Sequence, residues 1–331
     1  EIYTLSLHDA LPIYQPTGTS SRSDSTCEGG CEMSVKIGID LGGTTLVAAR
    51  VFCAEEAAPR IDRKIFRNTP SRRSVPEVLS LMAEMIADLA SEGDVSGVGV
   101  AVPGMIDPAR RIVHKMPNFP RDWEEFDLLK ALLAITKMSD LALPVKLEND
   151  ANCYALGEGN AGVAVGMTDY VVLTLGTGIG CGVVLGGRLL VGSHGMAGEA
   201  GHLVVNGQEP CNCGGLGHAE TVAGADGTAK RAKAAGLTGN FRELWELRHG
   251  HGASKILGAT VDAMARTVAS ISHLLDPEAI VLGGGISQAS GIAEVVHDAA
   301  LPYLSRPFRH VLRLEVSRLG NEAAIYGAAS L

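Results

Sequence analysis

The chain has 331 residues, enough for two domains of ordinary size, with 46% hydrophobic and 20% charged residues. Its formal net charge of −9 and sequence pI near 5.6 argue against a nucleic-acid or anionic-membrane surface. No apolar run approaches the roughly 18 residues of a membrane span, and an odd number of cysteines, 7, fits a reducing, cytoplasmic setting rather than a disulfide framework.

Residues Glu1 to Ile13 resemble the translation of a common short-read sequencing adapter, and Gly18 to Cys31 is Ser/Thr/Gly-rich without periodicity. Residues 1–33 are read as a non-native or disordered extension, with Met33 as the start. Val35 to Asp40 then forms a short apolar strand ending in Asp-Leu-Gly-Gly-Thr-Thr, with a returning strand over Leu46 to Cys53. Helical spacing of apolar residues predicts a helix over Val75 to Ala90, a buried strand follows over Val95 to Val102, and a helix is expected over Glu124 to Ile135.

Pro144 to Leu147 is strand-like and leads into Glu148-Asn-Asp-Ala-Asn152, where Asp150 is placed to cap a helix over Ala151 to Gly157. Tyr170 to Leu175 is a strand ending in Gly-Thr-Gly-Ile-Gly180, and Cys181 to Leu185 with Arg188 to Val191 reads as a hairpin. Helices are expected at 219–235, 241–249, 254–275, 292–304 and 322–329, with a strand over Ile280 to Leu282 running into Gly283-Gly-Gly-Ile-Ser287. Cys53, Cys153 and Cys181 lie in apolar segments and read as small buried hydrophobes.

Ile37-Gly-Ile-Asp-Leu-Gly-Gly-Thr-Thr and Leu173-Thr-Leu-Gly-Thr-Gly-Ile-Gly form a coarse internal repeat of strand, Gly/Thr turn and returning strand. Backbone N–H groups and threonine hydroxyls of such turns (Gly42, Gly43, Thr44 and Thr45; Gly176, Thr177 and Gly178) converge well on phosphate oxygens. A plain tight hairpin explains either turn alone. The pair together, with Asp40 poised before the first to serve a Mg²⁺ ion, favours phosphate binding. Gly283, Gly284 and Gly285 would let a nucleotide base approach the backbone, and a plain strand-to-helix turn explains them equally well.

Phosphoryl transfer to an alcohol needs a carboxylate to orient the hydroxyl and accept its proton, and Asp150 stands at a strand end among Asn149 and Asn152. A capping role alone explains Asp150 as well. From Gly201 to Glu220, the side chains of His202, Cys211, Cys213 and His218 are those that hold zinc tetrahedrally, with glycines at 214, 215 and 217 for the tight turns. Glu199 and Glu220 flank this segment, so the metal knot would frame a binding site.

The Asp-Leu-Gly-Gly-Thr turn, the Glu-Asn-Asp-Ala-Asn cluster, the Leu-Gly-Thr-Gly-Ile-Gly turn and Gly-Met-Ala-Gly-Glu-Ala-Gly-His with its Cys-x-Cys-Gly segment occur in that order. Together they resemble the ROK family of bacterial sugar kinases, transcriptional repressors and related proteins, over Val35 to Leu331. The resemblance implies an α/β, two-domain actin/hexokinase-like (duplicated ribonuclease H-like) fold with sugar and ATP in the cleft between domains. A smaller N-terminal domain would span 34–142, joined by a C-terminal helix at 318–331, and a larger domain 143–317. Asp150 becomes the catalytic base, Asn118, Asn149, Glu199, His202 and Glu220 the sugar contacts, and the zinc structural, with His202 shared between metal and sugar.

Two departures stand out. His218 replaces the family's usual third cysteine, and Thr45 stands where many members have lysine, removing one positive charge near the phosphates. The expected activity is ATP-dependent phosphorylation of glucose at its 6-hydroxyl. N-acetylglucosamine, N-acetylmannosamine and fructose are alternative acceptors. The repressor branch needs a helix-turn-helix domain, for which the region before Val35 is too short and too polar. A catalytically silent sugar-binding protein is disfavoured by the intact Asp40, Asp150 and both turns. Family habit points to a homodimer.

Overall fold

An apolar run buried over Ile37–Ile39 forms the middle of the first strand, and the computed structural model describes residues 33–54, 57–205 and 207–331. The expectations for residues 1–32 lie outside the described residues. The first half of the described chain contains β1 (Ser34–Leu41), β2 (Thr45–Ala54), β3 (Ala57–Asn68), α1 (Val75–Ala90), β4 (Gly97–Val102), β5 (Met105–Ile106), β6 (Ile112–Lys115), β7 (Phe126–Asp127), α2 (Leu128–Met138) and β8 (Val145–Asn149). The second half contains α3 (Asp150–Ala161), β9 (Tyr170–Leu175), β10 (Ile179–Leu185), β11 (Arg188–Leu189), α4 (Ala219–Ala223), α5 (Ala225–Ala234), α6 (Phe241–Glu246) and α7 (His251–Leu275). It ends with β12 (Ala279–Gly283), α8 (Gly284–Ser287), α9 (Ile292–Ala300), α10 (Phe308–Val311), β13 (Leu314–Val316) and α11 (Glu322–Ser330).

The internal repeat is realised in three dimensions. One five-stranded sheet has the order β3-β2-β1-β4-β8 and a second the order β11-β10-β9-β12-β13, while β5, β6 and β7 form a small third sheet. In both five-stranded sheets, the central strand pairs antiparallel with its hairpin partner and parallel with the next strand. Fully buried β4 (Gly-Val-Gly-Val-Ala-Val) is apolar throughout because both faces of an interior parallel strand are covered. Each five-stranded sheet has its own core, with Ile39, Met82, Val100 and Leu132 in the first and Leu173, Trp245, Val268 and Leu282 in the second. This is the α/β actin/hexokinase-like arrangement of two duplicated sheets. Among the described residues no helix is long and apolar enough to cross a membrane.

Helix α3 ties the halves together. It leaves β8 of the first sheet and packs on β9 and β10 of the second, where Gly182 leaves room for the Ala151 carbonyl. Helix α11 packs against α3, β1 and β4 through close backbone approaches: a Cβ at Gly99, Gly157 or Gly327 would overlap a carbonyl oxygen of Ala328, Ala323 or Cys153 respectively.

Several boundaries differ from expectation. The helix expected from Glu124 starts only at Leu128, because Glu125 is left-handed and the Asp127 carboxylate caps the helix by accepting from Lys130 N–H. Asp150 is not the cap of α3. Asn149 is, its side chain accepting from the N–H groups of Ala151 and Asn152. The helix expected over 219–235 breaks at Gly224 into α4 and α5. β3 was not anticipated, since this exposed edge strand carries alternating charged residues and Pro59. Cys153 and Cys181 are buried as expected, whereas Cys53 is half-buried.

Candidate active site

Both expected phosphate turns are tight hairpins at corresponding edges of the two sheets. In the first, Gly42 N–H donates to Thr45 O at 2.9 Å, and Thr69 braces the loop through its hydroxyl to Gly42 O at 2.7 Å. Asn118 lies beside Gly43, with its Cβ 3.9 Å from where a Gly43 Cβ would stand. Its left-handed backbone (φ 65°) is held by Arg73, which donates to Asn118 O at 2.6 Å. In the second turn Gly176 N–H donates to Gly178 O at 3.0 Å, and the corner between α4 and α5 clasps it through Ala225 N–H to Gly176 O at 2.8 Å.

The third glycine run is a strand-to-helix turn that sits against the second phosphate turn. β12 pairs directly with β9, and Gly284 (φ 79°) packs on the Leu175 carbonyl, where a Cβ would come within 2.5 Å. The Tyr154 ring fills the space beside Gly283, and its hydroxyl accepts from Gly284 N–H at 3.4 Å. Space beside Gly176 and Gly285 is open.

Asp40 is the penultimate residue of β1 and Asp150 follows β8, so both stand at the C-terminal edge of the parallel part of the first sheet, where ligands bind in open α/β sheets. Burial, and then the charge of Asp150, pushes the Asp40 carboxyl up to about 7. Burial also pushes Asp150 up to about 6, against the pull of N–H donors including Ala151, with the charge of Glu199 adding to the rise. Glu199 is raised as well, by burial and by Glu220. Mutually repelling carboxylates in one region favour a bound cation and hydroxyl donors.

The Cys/His segment is pinned to β10 through Gly201, whose Cβ would overlap Ile179 O. One ligand atom each from His202, Cys211, Cys213 and His218 lies within 4.8 Å of all the others. Gly214 and Gly217 have positive φ (99° and 71°), and Gly215 has no room for a side chain against the His218 ring. The His202 and His218 rings stack at 4.9 Å. Two thiols and two imidazoles are the donor set of a closed zinc site. Burial, with Glu220 and Cys213 beside it, pushes the Cys211 thiol up to about 12, so a thiolate there needs a cation.

His202 joins this cluster to the carboxylates. Its Nδ1 is 3.7 Å from Glu199 and its Nε2 3.3 Å from Glu220, whose Oε1 also accepts from the Cys211 thiol at 3.0 Å. Glu220 in turn abuts Gly178, where a Cβ would lie 2.7 Å from its Oε2. The fold therefore brings Glu199, His202, Glu220 and the second turn together, and places Asp150 within electrostatic reach of Glu199 and Asp40.

Sequence reasoning missed Arg110 as a member of the site and treated Glu148 only as context. The Arg110 guanidinium bonds Glu148 at 2.8 Å, and Glu148 accepts from Asn149 N–H at 2.8 Å and Asn152 Nδ2 at 2.9 Å. Asn149 Nδ2 donates to Gly104 O at 3.0 Å. Nothing in the local pattern around Arg110 signals a contact 38 residues away.

A family model described as "ROK family" matches residues 36–331. The chain is 36% identical over 323 residues to a protein of Thermotoga maritima named glucokinase, covering 89% of this chain and 96% of that one. A Salmonella arizonae protein named N-acetylmannosamine kinase is 29% identical over 302 residues, covering 89% and 97%. A solved Streptomyces griseus ROK family glucokinase, in complex with glucose and AMPPNP, aligns with TM-score 0.75 at 28% identity, covering 90% of this chain and 98% of that chain.

Proposed function

The chain belongs to the ROK family, and from that premise we propose that it is an ATP-dependent hexose kinase that transfers the γ-phosphate to the 6-hydroxyl of glucose. The observation that carries this reading is the placement of Asp150. It stands after β8, raised to about 6, beside Asp40 and within reach of the Glu199, His202 and Glu220 group. A carboxylate of that basicity is ionised at neutral pH and can still accept a hydroxyl proton.

Asn118, Asn149, Glu199, His202 and Glu220 hold the sugar hydroxyls through paired donors and acceptors. Asp150 orients the 6-hydroxyl and takes its proton as the oxygen attacks the γ-phosphorus, while the bond to the ADP oxygen breaks. The turns at 42–45 and 176–178 hold the phosphates by backbone N–H and threonine hydroxyls, and Gly283, Gly284 and Gly285 admit the nucleotide. Asp40 is the residue that would hold Mg²⁺, since a dication offsets both the burial and the Asp150 charge that raise its carboxyl; when bound, the metal would supply charge neutralisation at the phosphates. The protein acts in the cytoplasm.

The test is a coupled ADP-release assay over glucose, mannose, fructose, N-acetylglucosamine and N-acetylmannosamine, with the highest kcat/KM expected for glucose. A higher value for another sugar of the panel reassigns the substrate to that sugar. No ADP release with any of them would sink the kinase reading in favour of a silent sugar-binding protein.

His202, Cys211, Cys213 and His218 would hold one structural Zn²⁺, which when bound would fix the His202 ring beside Glu220. Purified protein is expected to carry about one zinc per chain, lost in Cys211→Ser or Cys213→Ser, with the sugar KM rising about tenfold or more. Elemental analysis finding no zinc in the wild-type protein would overturn this assignment.

A further inference from the structure

The geometry points to Arg110 and Glu148 as a positioning pair for the reaction: the guanidinium neutralises a buried carboxylate whose oxygens hold the residues on both sides of Asp150. This rests on the kinase reading above and names a part of the machinery that the expected contact set leaves out.

Glu148 is 5% exposed at the end of β8. Its Oε1 accepts from Asn149 N–H and Asn152 Nδ2, and its Oε2 from Arg110 Nε at 2.8 Å. Asn149 is both the cap of α3 and an expected sugar contact, so the carboxylate sets the geometry from which Asp150 projects. A carboxylate this buried is costly without a counter-charge, and Arg110 supplies one.

Arg110 is itself held under strain. Its backbone is left-handed (φ 55°), unfavourable for a long side chain. The Asp107 carboxylate fixes that turn by accepting from the N–H groups of Ala109, Arg111 and Ile112. The side chain then reaches across to β8, with Nη1 donating to Asp107 O at 3.3 Å and Nη2 buried without a partner among the described residues. Gly195, on the segment leading to Glu199, roofs the guanidinium: a Cβ there would lie 3.0 Å from Arg110 Nη1. An ordinary surface arginine needs neither the strained turn nor burial. A buried ion pair is also weak as a stabilising device, since an apolar pair often does as well.

The test compares Arg110→Met, Arg110→Lys, and the double variant Arg110→Met/Glu148→Gln, each checked for folding by circular dichroism. Arg110→Met is expected to lower kcat about 10- to 100-fold, the effect of misplacing a reacting group, while the KM for ATP stays within about twofold. Lysine restores the charge and should recover part of kcat. In the double variant the amide that replaces the Glu148 carboxylate keeps an oxygen to accept from Asn149 and Asn152 and needs no cation, so kcat should return to within about fivefold of wild type.

Wild-type kcat in Arg110→Met, or a double variant no better than that single one, would overturn the pairing. If Arg110→Met does not fold, the double variant and Arg110→Lys carry the same comparison. If the wild type phosphorylates no sugar in the panel, the kinase reading has failed separately. The pair is then judged by glucose affinity in calorimetry, expected to weaken in Arg110→Met or Arg110→Lys and recover in the double variant; unchanged affinity in all of them overturns it.

Discussion

Asp150→Asn is expected to lower kcat by about 10²- to 10⁴-fold, the usual contribution of general base catalysis, with glucose affinity within about threefold of wild type. Asparagine keeps the shape of the side chain and an oxygen for Ala151 N–H, which Asp150 Oδ1 holds at 2.8 Å. It also removes a negative charge that, after burial, adds to the rise of the Asp40 carboxyl. ADP release measures the turnover and calorimetry the affinity; near-normal turnover would refute Asp150 as the base.

A pH dependence follows from the same carboxyls. The base form of Asp150 exists above about 6 and that of Asp40 above about 7. In the free enzyme kcat/KM should therefore fall as pH drops through this window, as a property of the interacting pair. A wild-type profile flat from pH 8 to pH 5 would contradict this.

Gly157→Ala is expected to destabilise the protein by about 3 kcal/mol or more, at the upper end of overpacking penalties. Its new Cβ would overlap the Ala323 carbonyl, a backbone atom of a buried helix with no free direction in which to move. Gly99 and Gly327 face the same obstacle against α11 and α3, so these glycines close the seam between the halves. The control is Gly258→Ala in α7, where nothing lies within 4 Å of the new methyl. That exposed position should gain about 0.5–1 kcal/mol, because alanine is the better helix former. Urea unfolding of both variants decides the matter, and equal effects would show that α11 is not packed as described.

Long, strongly periodic elements were readable from the residues alone. α1 runs over Val75–Ala90 and β9 over Tyr170–Leu175 as their patterns indicate. Where local signals compete, the reading slipped. Two glutamates before α2 favour helix, yet Glu125 is left-handed and Asp127 caps, a choice made by the hairpin pairing of β6 and β7. Asn149 and Asp150 are both good caps by chemistry, and only the turn out of β8 decides between them.

The sequence by itself determined the pieces: the repeated Gly/Thr turns, the Asn149–Asp150 pair, and the His202, Cys211, Cys213, His218 set. These are local, because a turn or a chelating loop needs only neighbouring residue types at the right spacing. Tertiary structure alone decided which pieces meet. It raised Asp40 and Asp150 by shared burial, set His202 between Glu199 and Glu220, brought Arg110 to Glu148, and made Gly99, Gly157 and Gly327 indispensable. Desolvation, charge proximity and steric exclusion all depend on distances through space, which no spacing along the chain encodes.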